Sequence, residues 1–159
     1  MLTSRSESVS PMARPEKRMD RPAEICLMEQ IVAFFAEDEH GETLVDLLSH
    51  KFPTSLRVLD RFISRWARFN RVRVKDANGR THDLYTAYKC ALRSFHRQYF
   101  DPFARTPVIE FFVPSKAVFV RTTLAQLNYI RWVIRYGALT AFHERGADME
   151  AGSPTCDSV

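Results

Sequence analysis

The sequence is poor in the residues that hold small secreted domains or metal sites together. Its 159 residues include three cysteines, Cys26, Cys90 and Cys156, and no two of them have the CxxC spacing. An odd number with wide spacing predicts no disulfide framework, so a reducing compartment is the default. Cys26 and Cys90 are expected to be small buried residues within helices, and Cys156 a free thiol. The five histidines also lack the spacing of metal ligands, so no metal is expected.

The motifs of common enzyme classes are missing as well. The chain has no GxSxG, P-loop, HExxH or GxGxxG segment. His96 and Asp101 could form an acid–base pair, but almost any chain offers such a pair. The enzyme interpretation would need His96 to be buried in a cleft. We therefore expect a protein that is not an enzyme and that uses no cofactor.

Apolar runs long enough to cross a membrane do not occur in the sequence. The richest stretch, Tyr129 to Phe142, is interrupted by Arg131 and Arg135. The first ten residues are polar and lack the apolar core of a secretory signal. We therefore expect a protein that is neither secreted nor membrane-spanning and that has no membrane partner.

Basic residues are concentrated in the middle of the chain. The segment from Ser55 to Arg105 has twelve basic and four acidic residues, a net charge of +8, whereas the whole chain carries +4. Ten of the twelve are arginine, which binds phosphate in a bidentate manner and stacks on aromatic planes. The local charge thus favours an anionic partner.

Periodicity and capping residues predict a mainly helical α+β domain with one or two small hairpins. The predicted helices are 22–37, 44–52, 55–70, 84–99, 124–136 and 138–144, and the predicted strands are 71–75, 108–113 and 117–122. Thr43, Ser55, Asp83 and Thr123 are predicted to cap helices, and Gly41 to end the first one. A single domain at 22–145 would lie between disordered tails at 1–21 and 146–159, and the element order permits a winged-helix-like arrangement.

The third predicted helix separates an apolar face from a basic one. At about 100° per residue its apolar side chains fall on one side: Leu56, Leu59, Phe62, Ile63, Trp66 and Phe69. Four arginines, Arg57, Arg61, Arg65 and Arg68, fall within an arc of roughly 80° on another side. Like charges at this spacing cost about 0.2–0.5 kcal/mol per pair, so this face favours a partner such as a phosphate backbone.

The residues predicted to bind nucleic acid extend beyond that helix into the next strand and helix. They are Arg57, Arg61, Arg65, Arg68, Arg71, Arg73, Lys75, Arg93 and Arg97. Nearby aromatic residues could stack on unpaired bases or belong to the core: Tyr85, Tyr88, His96, Tyr99 and Phe103. Two other interpretations stay open for the arginines, a solvated helix face or ion pairs with Glu37, Asp38 and Glu39.

Two segments of the C-terminal half carry a resemblance to a known family. They are YFDPFAR at 99–105 and TTLAQLNYIRWVI at 122–134. With a hairpin between them, they resemble a family of small uncharacterised basic proteins of large double-stranded DNA viruses, with the pattern FDPFCR and then TTxGQLNFFRWAI. The resemblance covers residues 95–144 and implies a viral setting without an assigned activity. This chain departs from the pattern at Ala104, Ala125, Tyr129 and Ile130.

The second of these segments is interpreted as structural. Leu127, Ile130, Trp132 and Ile134 recur at helical spacing and are expected in the core. Gln126 and Asn128 could read an adenine edge, or they could cap the hairpin or satisfy its backbone. The structural role is the one we expect for both amides.

Charge, aromatic content and resemblance together predict a non-enzymatic nucleic-acid-binding protein of low sequence specificity, acting in viral genome packaging or regulation. The alternative is a protein–protein interaction or scaffold protein of a large DNA virus, with no nucleic-acid contact. It would dock an acidic protein partner on the basic face, or self-associate through the aromatic C-terminal helix. The expected location is the host cytoplasm or nucleus, or the virion.

Overall fold

The computed structural model describes residues 21–49 and 55–152. The helices are α1 (Arg21–Phe35), α2 (Asp38–Leu48), α3 (Leu56–Arg61), α4 (Ala67–Asn70), α5 (Leu84–Tyr99), α6 (Leu124–Arg135) and α7 (Ala138–Gly152), with a π-helical turn (Phe62–Trp66) joining α3 to α4. The strands are β1 (Arg73–Lys75), β2 (Thr81–Asp83), β3 (Val108–Val113) and β4 (Val118–Thr123). They form two separate antiparallel hairpins, β1–β2 and β3–β4. The predicted α+β, mainly helical class is confirmed, and the winged-helix-like arrangement stays a prediction.

Three of the predicted helix caps are confirmed. Ser55 Oγ accepts a hydrogen bond from the Val58 amide (3.3 Å), and Asp83 Oδ2 accepts one from the Thr86 amide (3.0 Å). Thr123 Oγ1 accepts the equivalent bond from the Gln126 amide at 3.2 Å. Each cap joins residues three apart, so the chemistry is local and can be recognised in the sequence.

The start of α2 differs from the prediction. The helix begins at Asp38, so Gly41 lies inside it rather than ending α1, and Thr43 does not cap it. Thr43 Oγ1 instead donates to the carbonyl of Glu39, at 2.9 Å. Gly41 is buried because the β3–β4 turn covers it: a Cβ there would collide with Ser115 Oγ and lie 2.9 Å from Val113 Cγ1. A close approach between elements, and not a helix end, therefore explains this glycine.

The third predicted helix, 55–70, forms as a continuous run but contains the π-helical turn. A π turn holds one more residue than an α turn. The side chains after it are therefore rotated about the helix axis by about 100° from the positions that a regular α-helix would give them. Leu59, Phe62 and Ile63 are buried as predicted, but Phe69 is 77% exposed and the prediction for that residue is wrong. Ala67 is buried in its place.

Helix α6 forms the centre of the core. It contacts α1, α5 and α7, and its residues from Leu124 to Val133 are buried except for Gln126. The core roles predicted for Leu127, Ile130 and Trp132 are confirmed. The helix is thus enclosed by three neighbouring helices, and self-association through it stays a prediction.

Two further predictions need correction. Cys26 and Cys90 lie in helices α1 and α5, but both are exposed rather than buried. The last helix does not end at Glu144 but continues to Gly152, and Met149 packs into the core, so residues 146–152 are not a tail. The remaining predicted tail residues, 1–20 and 153–159 with Cys156, lie outside the described residues.

Candidate nucleic-acid interface

All nine residues predicted to contact phosphates are exposed. They are distributed over the α3–α4 helix, its C-terminal cap, strand β1 and helix α5. The ion pairs found in ranges 21–49 and 55–152 join His40 to Glu37, His82 to Asp76 and Lys116 to Glu42, and they include none of the nine. The interpretation that these arginines pair with Glu37, Asp38 and Glu39 therefore has no support in that part of the chain.

Three of the nine line a shallow groove of about 260 Å³, here called the arginine groove. Its lining is Arg57, Asp60, Arg61, Ser64, Arg65 and Phe103. Residues four apart lie on the same side of a helix, which brings the three guanidinium groups into one row. The ring of Phe103 closes one side of the groove and is 48% exposed. An exposed aromatic ring beside a row of arginines can stack on a base while the arginines bind phosphates.

Phe103 is held in place by amide side chains of α6. Asn128 Nδ2 donates to the carbonyl of Tyr99 (2.8 Å), and Gln126 Nε2 donates to the carbonyl of Pro102 (3.0 Å). Asp101 Oδ1 accepts from the Phe103 amide at 2.8 Å. The structural role expected for both amides is thus right, but they satisfy the backbone of the 99–104 loop rather than that of the hairpin. The two motifs of the resemblance contact each other here.

Asp60 is an acidic group within the basic groove. Its carboxylate is half-buried, and Oδ1 accepts a hydrogen bond from the buried Tyr129 hydroxyl at 3.2 Å. Burial raises the pKa of Asp60, as does the charge of Asp101, whereas the Tyr129 bond and the charges of Arg97 and Arg65 lower it. Burial and the Asp60 charge keep the Tyr129 pKa well above its ordinary value. Arg97 therefore acts on the same carboxylate as the groove arginine Arg65.

Arg68 does not belong to the row that the sequence predicts. After the π turn it points to another side, and its Cζ lies 5.4 Å from the centre of the Phe69 ring and 5.7 Å from that of Tyr85. The prediction of a single face with four arginines is thus wrong: three arginines line the groove, and the fourth stacks on two aromatic residues elsewhere. The reason is the extra residue in the turn, which no helical periodicity reveals.

The remaining basic residues lie outside the groove lining. Arg71 ends α4 in the left-handed region (φ 45°), rather than starting a strand as predicted. Arg73 and Lys75 share the exposed face of β1 because strand side chains alternate, and Val74 between them is buried. Arg93 is exposed on α5.

The predicted stacking residues separate into core and surface. Tyr99 is buried, and Tyr88 packs 6.2 Å, between ring centres, from both Phe100 and Trp132. Phe103 alone among the five predicted aromatics lies beside the groove arginines. His96 is exposed on α5, so the burial that the enzyme interpretation needed is not observed.

The sequence interpretation missed two features of this region. The bond between Asp60 and Tyr129 joins positions far apart in the chain, and no local pattern indicates it. Arg131 was seen only as an interruption of an apolar stretch, yet it is buried beside Asn128. In ranges 21–49 and 55–152, no helix has both the length and the apolarity to span a bilayer.

Comparison with known proteins places the chain in an uncharacterised group. Residues 8–146 match the model of a family described as a family of unknown function, DUF7197. The chain is 28% identical over 122 residues to the uncharacterized protein L507 of Acanthamoeba polyphaga mimivirus. That alignment covers 72% of this chain and 47% of the relative, so it spans about half of the relative's length. No solved structure matches. Since the family match covers most of its length, the chain belongs to DUF7197, a family of unknown function.

Proposed function

We propose that the protein is a non-enzymatic, cofactor-free nucleic-acid-binding protein of low sequence specificity, and that the arginine groove is its central contact. The observation that carries this proposal is the row formed by Arg57, Arg61 and Arg65, exposed, beside the exposed ring of Phe103. Like charges repel along a helix, and a phosphate backbone relieves that repulsion.

The groove can bind the phosphates of a duplex or of a single strand, and it gains a further stacking contact where bases are unpaired. Guanidinium groups bind phosphates irrespective of sequence, which supports low specificity. An exposed aromatic ring gains from stacking only where a base is unpaired, at about 1–3 kcal/mol per base. Arg97, which acts on Asp60 at the groove, and Arg68, on its own aromatic pair, would extend the contact surface.

The setting that we propose is a large DNA virus, in genome packaging or its regulation. The uncharacterised mimivirus relative supports a viral setting, and the two motifs in the C-terminal half point to the same class of virus. Packaging requires contact with any sequence of the genome, which is what a row of phosphate-binding arginines provides. The host cytoplasm or nucleus, or the virion, is the corresponding location.

A protein-interaction role is the second candidate, and a different surface favours it. Phe112 and Phe119 form a pair across the β3–β4 hairpin with ring centres 5.1 Å apart, and they are 45% and 67% exposed. Val118 and Val108 add exposed apolar area to the same hairpin. Clustered apolar side chains of this kind often mark protein contacts.

Fluorescence anisotropy with a single strand and a duplex, at roughly 50 and 200 mM salt, tests the proposal. The triple variant R57Q/R61Q/R65Q should lose at least tenfold in single-strand affinity, and its salt slope should fall by about 2. The matched control, R80Q/R105Q/R121Q, removes the same charge from exposed positions outside the groove. Equal losses of affinity in both triple variants would mean that binding depends on net charge and not on the groove. No binding by the wild type would favour the interaction role.

A further inference from the structure

A second concave site lies between α5 and α6, on residues that the arginine groove does not share. It is an open cleft of about 460 Å³, here called the Arg131 cleft. Its lining includes Asp83, Cys90, Phe95, Arg131, Arg135 and Tyr136. Volumes of this size are typical of sites for small molecules.

The cleft contains a buried guanidinium group that has no carboxylate partner among the described residues. Arg131 is only 7% exposed, and it donates from Nη1 to Asn128 Oδ1 (3.4 Å) and from Nη2 to Gln30 Oε1 (3.1 Å). Both acceptors are neutral amides, and no ion pair of residues 21–49 and 55–152 involves Arg131. Buried charges are normally paired, so this one has the character of a binding group.

The other ionisable groups of the cleft leave that charge unbalanced. Arg135, one turn further along α6, adds a second positive charge; burial and then this neighbour lower the pKa of Arg131. The Asp83 carboxylate is engaged at the start of α5, where Oδ2 accepts from the Thr86 amide (3.0 Å) and hydroxyl (2.7 Å). His82 also lines the cleft, and its Nε2 lies 2.8 Å from Oδ2 of Asp76, a residue outside the lining. The cleft therefore combines two positive charges, on Arg131 and Arg135, with aromatic rings in the same lining.

We propose that the Arg131 cleft binds a small organic oxyanion. A phosphate or carboxylate group would pair with Arg131 and Arg135, because guanidinium groups bind either oxyanion in a bidentate manner. A planar body would pack on Tyr136 and Phe95, which are both partly exposed; the Tyr136 ring is backed by the buried Trp132 ring, with centres 5.3 Å apart. This site is independent of the proposed nucleic-acid contact, since the two linings have no residue in common.

Thermal unfolding with matched pairs of probes tests the charge requirement and separates the two oxyanions. The pairs are thymidine 5′-monophosphate against thymidine, and benzoate against benzyl alcohol, each at millimolar concentration. We expect at least one anion to raise the Tm by 2 °C or more while its neutral counterpart does not, which also identifies phosphate or carboxylate as the group recognised. Equal shifts within both pairs, or no shift with any probe, would overturn the proposal.

The variant R131Q tests the group itself, with R135Q as the neighbouring control. If Arg131 serves a ligand, R131Q should keep or raise the Tm without ligand, since an unpaired buried charge is gone, and should abolish the anion-dependent shift. R135Q should reduce the shift without abolishing it. A folded R131Q whose Tm responds to the anion like that of the wild type would overturn the proposal. So would a lower ligand-free Tm of R131Q together with a wild type whose Tm does not respond to any anion, because Arg131 would then be a structural residue only.

Cys90 provides a test that leaves both arginines unchanged. Its exposed thiol lines the cleft, whereas that of Cys26 lies on α1. In a C26S/C156S background, the effective anion should slow alkylation of Cys90 by iodoacetamide at least threefold. In a C90S/C156S background it should leave alkylation of Cys26 unchanged. An unprotected Cys90 at an anion concentration that saturates the Tm shift would place the bound anion elsewhere and overturn the assignment.

Discussion

Asp60 has two roles with opposite effects, one on the stability of the fold and one on the binding of phosphates. Its carboxylate accepts the Tyr129 hydroxyl and so ties α3 to α6, yet its negative charge lies among arginines that we propose to bind phosphates. Burial raises its pKa, so the folded protein disfavours the ionised form. Stability from this group is therefore present at low pH and is lost as pH rises through the folded pKa.

The variant D60N should separate these roles. The amide oxygen still accepts the Tyr129 bond, so the Tm at pH 7 should be equal to or above that of the wild type. Removing one negative charge beside a phosphate is worth about 1 kcal/mol in water, so single-strand affinity at low salt should rise roughly fivefold. Anisotropy and thermal unfolding measure the two effects, with the exposed Asp148 (D148N) as control. Weaker binding by D60N would contradict the placement of phosphates in the groove.

Asp76 shows the opposite behaviour in the β1–β2 turn. The His82 hydrogen bond, aided by the backbone amides of Arg80 and Asn78, lowers the pKa of Asp76 below its ordinary value of 3.8. A lowered folded pKa means stability that is present above 3.8 and is lost as pH falls through the folded value. This carboxylate fixes the turn through two amides, at 2.9 Å each.

The variant D76N should therefore be less stable than the wild type at pH 7. The difference should shrink as pH falls from 3.8 through the lower folded pKa, where the wild-type carboxylate also protonates. Thermal unfolding of both proteins at pH 7, 4 and 2.5 measures the difference. A gap in Tm that widens on acidification would contradict the assigned role of this carboxylate.

The contact between α2 and the β3–β4 turn depends on the missing side chain of Gly41. The variant G41A would gain helix propensity, but its Cβ would collide with Ser115 Oγ, and displacing the turn costs about 1–3 kcal/mol. We expect a lower Tm, measured by thermal unfolding. The double variant G41A/S115G removes the first obstacle and should recover part of the loss. A G41A protein as stable as the wild type would show that the turn moves freely.

The end of α4 carries a residue that its backbone does not favour. Arg71 has φ 45°, a conformation that glycine adopts without strain. The variant R71G should therefore gain about 0.5–1 kcal/mol of stability, whereas R71Q, which removes the same charge and keeps the strain, should not. Chemical denaturation of both variants measures the difference. Their nucleic-acid affinities should match, since each has lost one guanidinium group; unequal affinities would mean that the end of α4 shapes the contact.

At the scale of the whole molecule, the elements that depend on local chemistry could be predicted from the sequence. The prediction failed where distant parts of the chain meet. Ser55, Asp83 and Thr123 cap their helices through bonds that span three residues, so the sequence contains the information. Gly41 and Phe69 were misassigned because a turn more than 70 residues away covers the first, and a π turn rotates the second into solvent. Tertiary contacts outweigh periodicity at both positions.

The candidate site follows the same division. The nine basic residues that the charge pattern singles out are all exposed, because charged side chains seldom bury without a partner. It could not predict that Phe103 joins three of them, since amide bonds from α6 hold that loop. Nor could it find the buried Arg131, whose Nη2 donates to Gln30 Oε1 on α1, a residue 101 positions away in the chain.

The two candidate functions occupy different surfaces of the molecule and can be tested separately. The double variant F112S/F119S removes the exposed rings of the hairpin, which are not part of the groove lining. We expect its nucleic-acid affinity to stay within about twofold of the wild type, measured by anisotropy. Light scattering on both proteins reports any assembly through the hairpin. A joint loss of assembly and nucleic-acid binding would mean that the two surfaces do not act independently.

The π-helical turn at Phe62–Trp66 also has a meaning in terms of insertion and deletion. A turn with one residue more than an α turn is equivalent to a single-residue insertion that the helix absorbed without breaking. Relatives without it should align to this chain with a one-residue gap between positions 62 and 66. In such a protein the residue equivalent to Arg68 would rotate back by about 100° into line with the other three arginines. The unbroken four-arginine row would then exist, in a chain shorter by one residue.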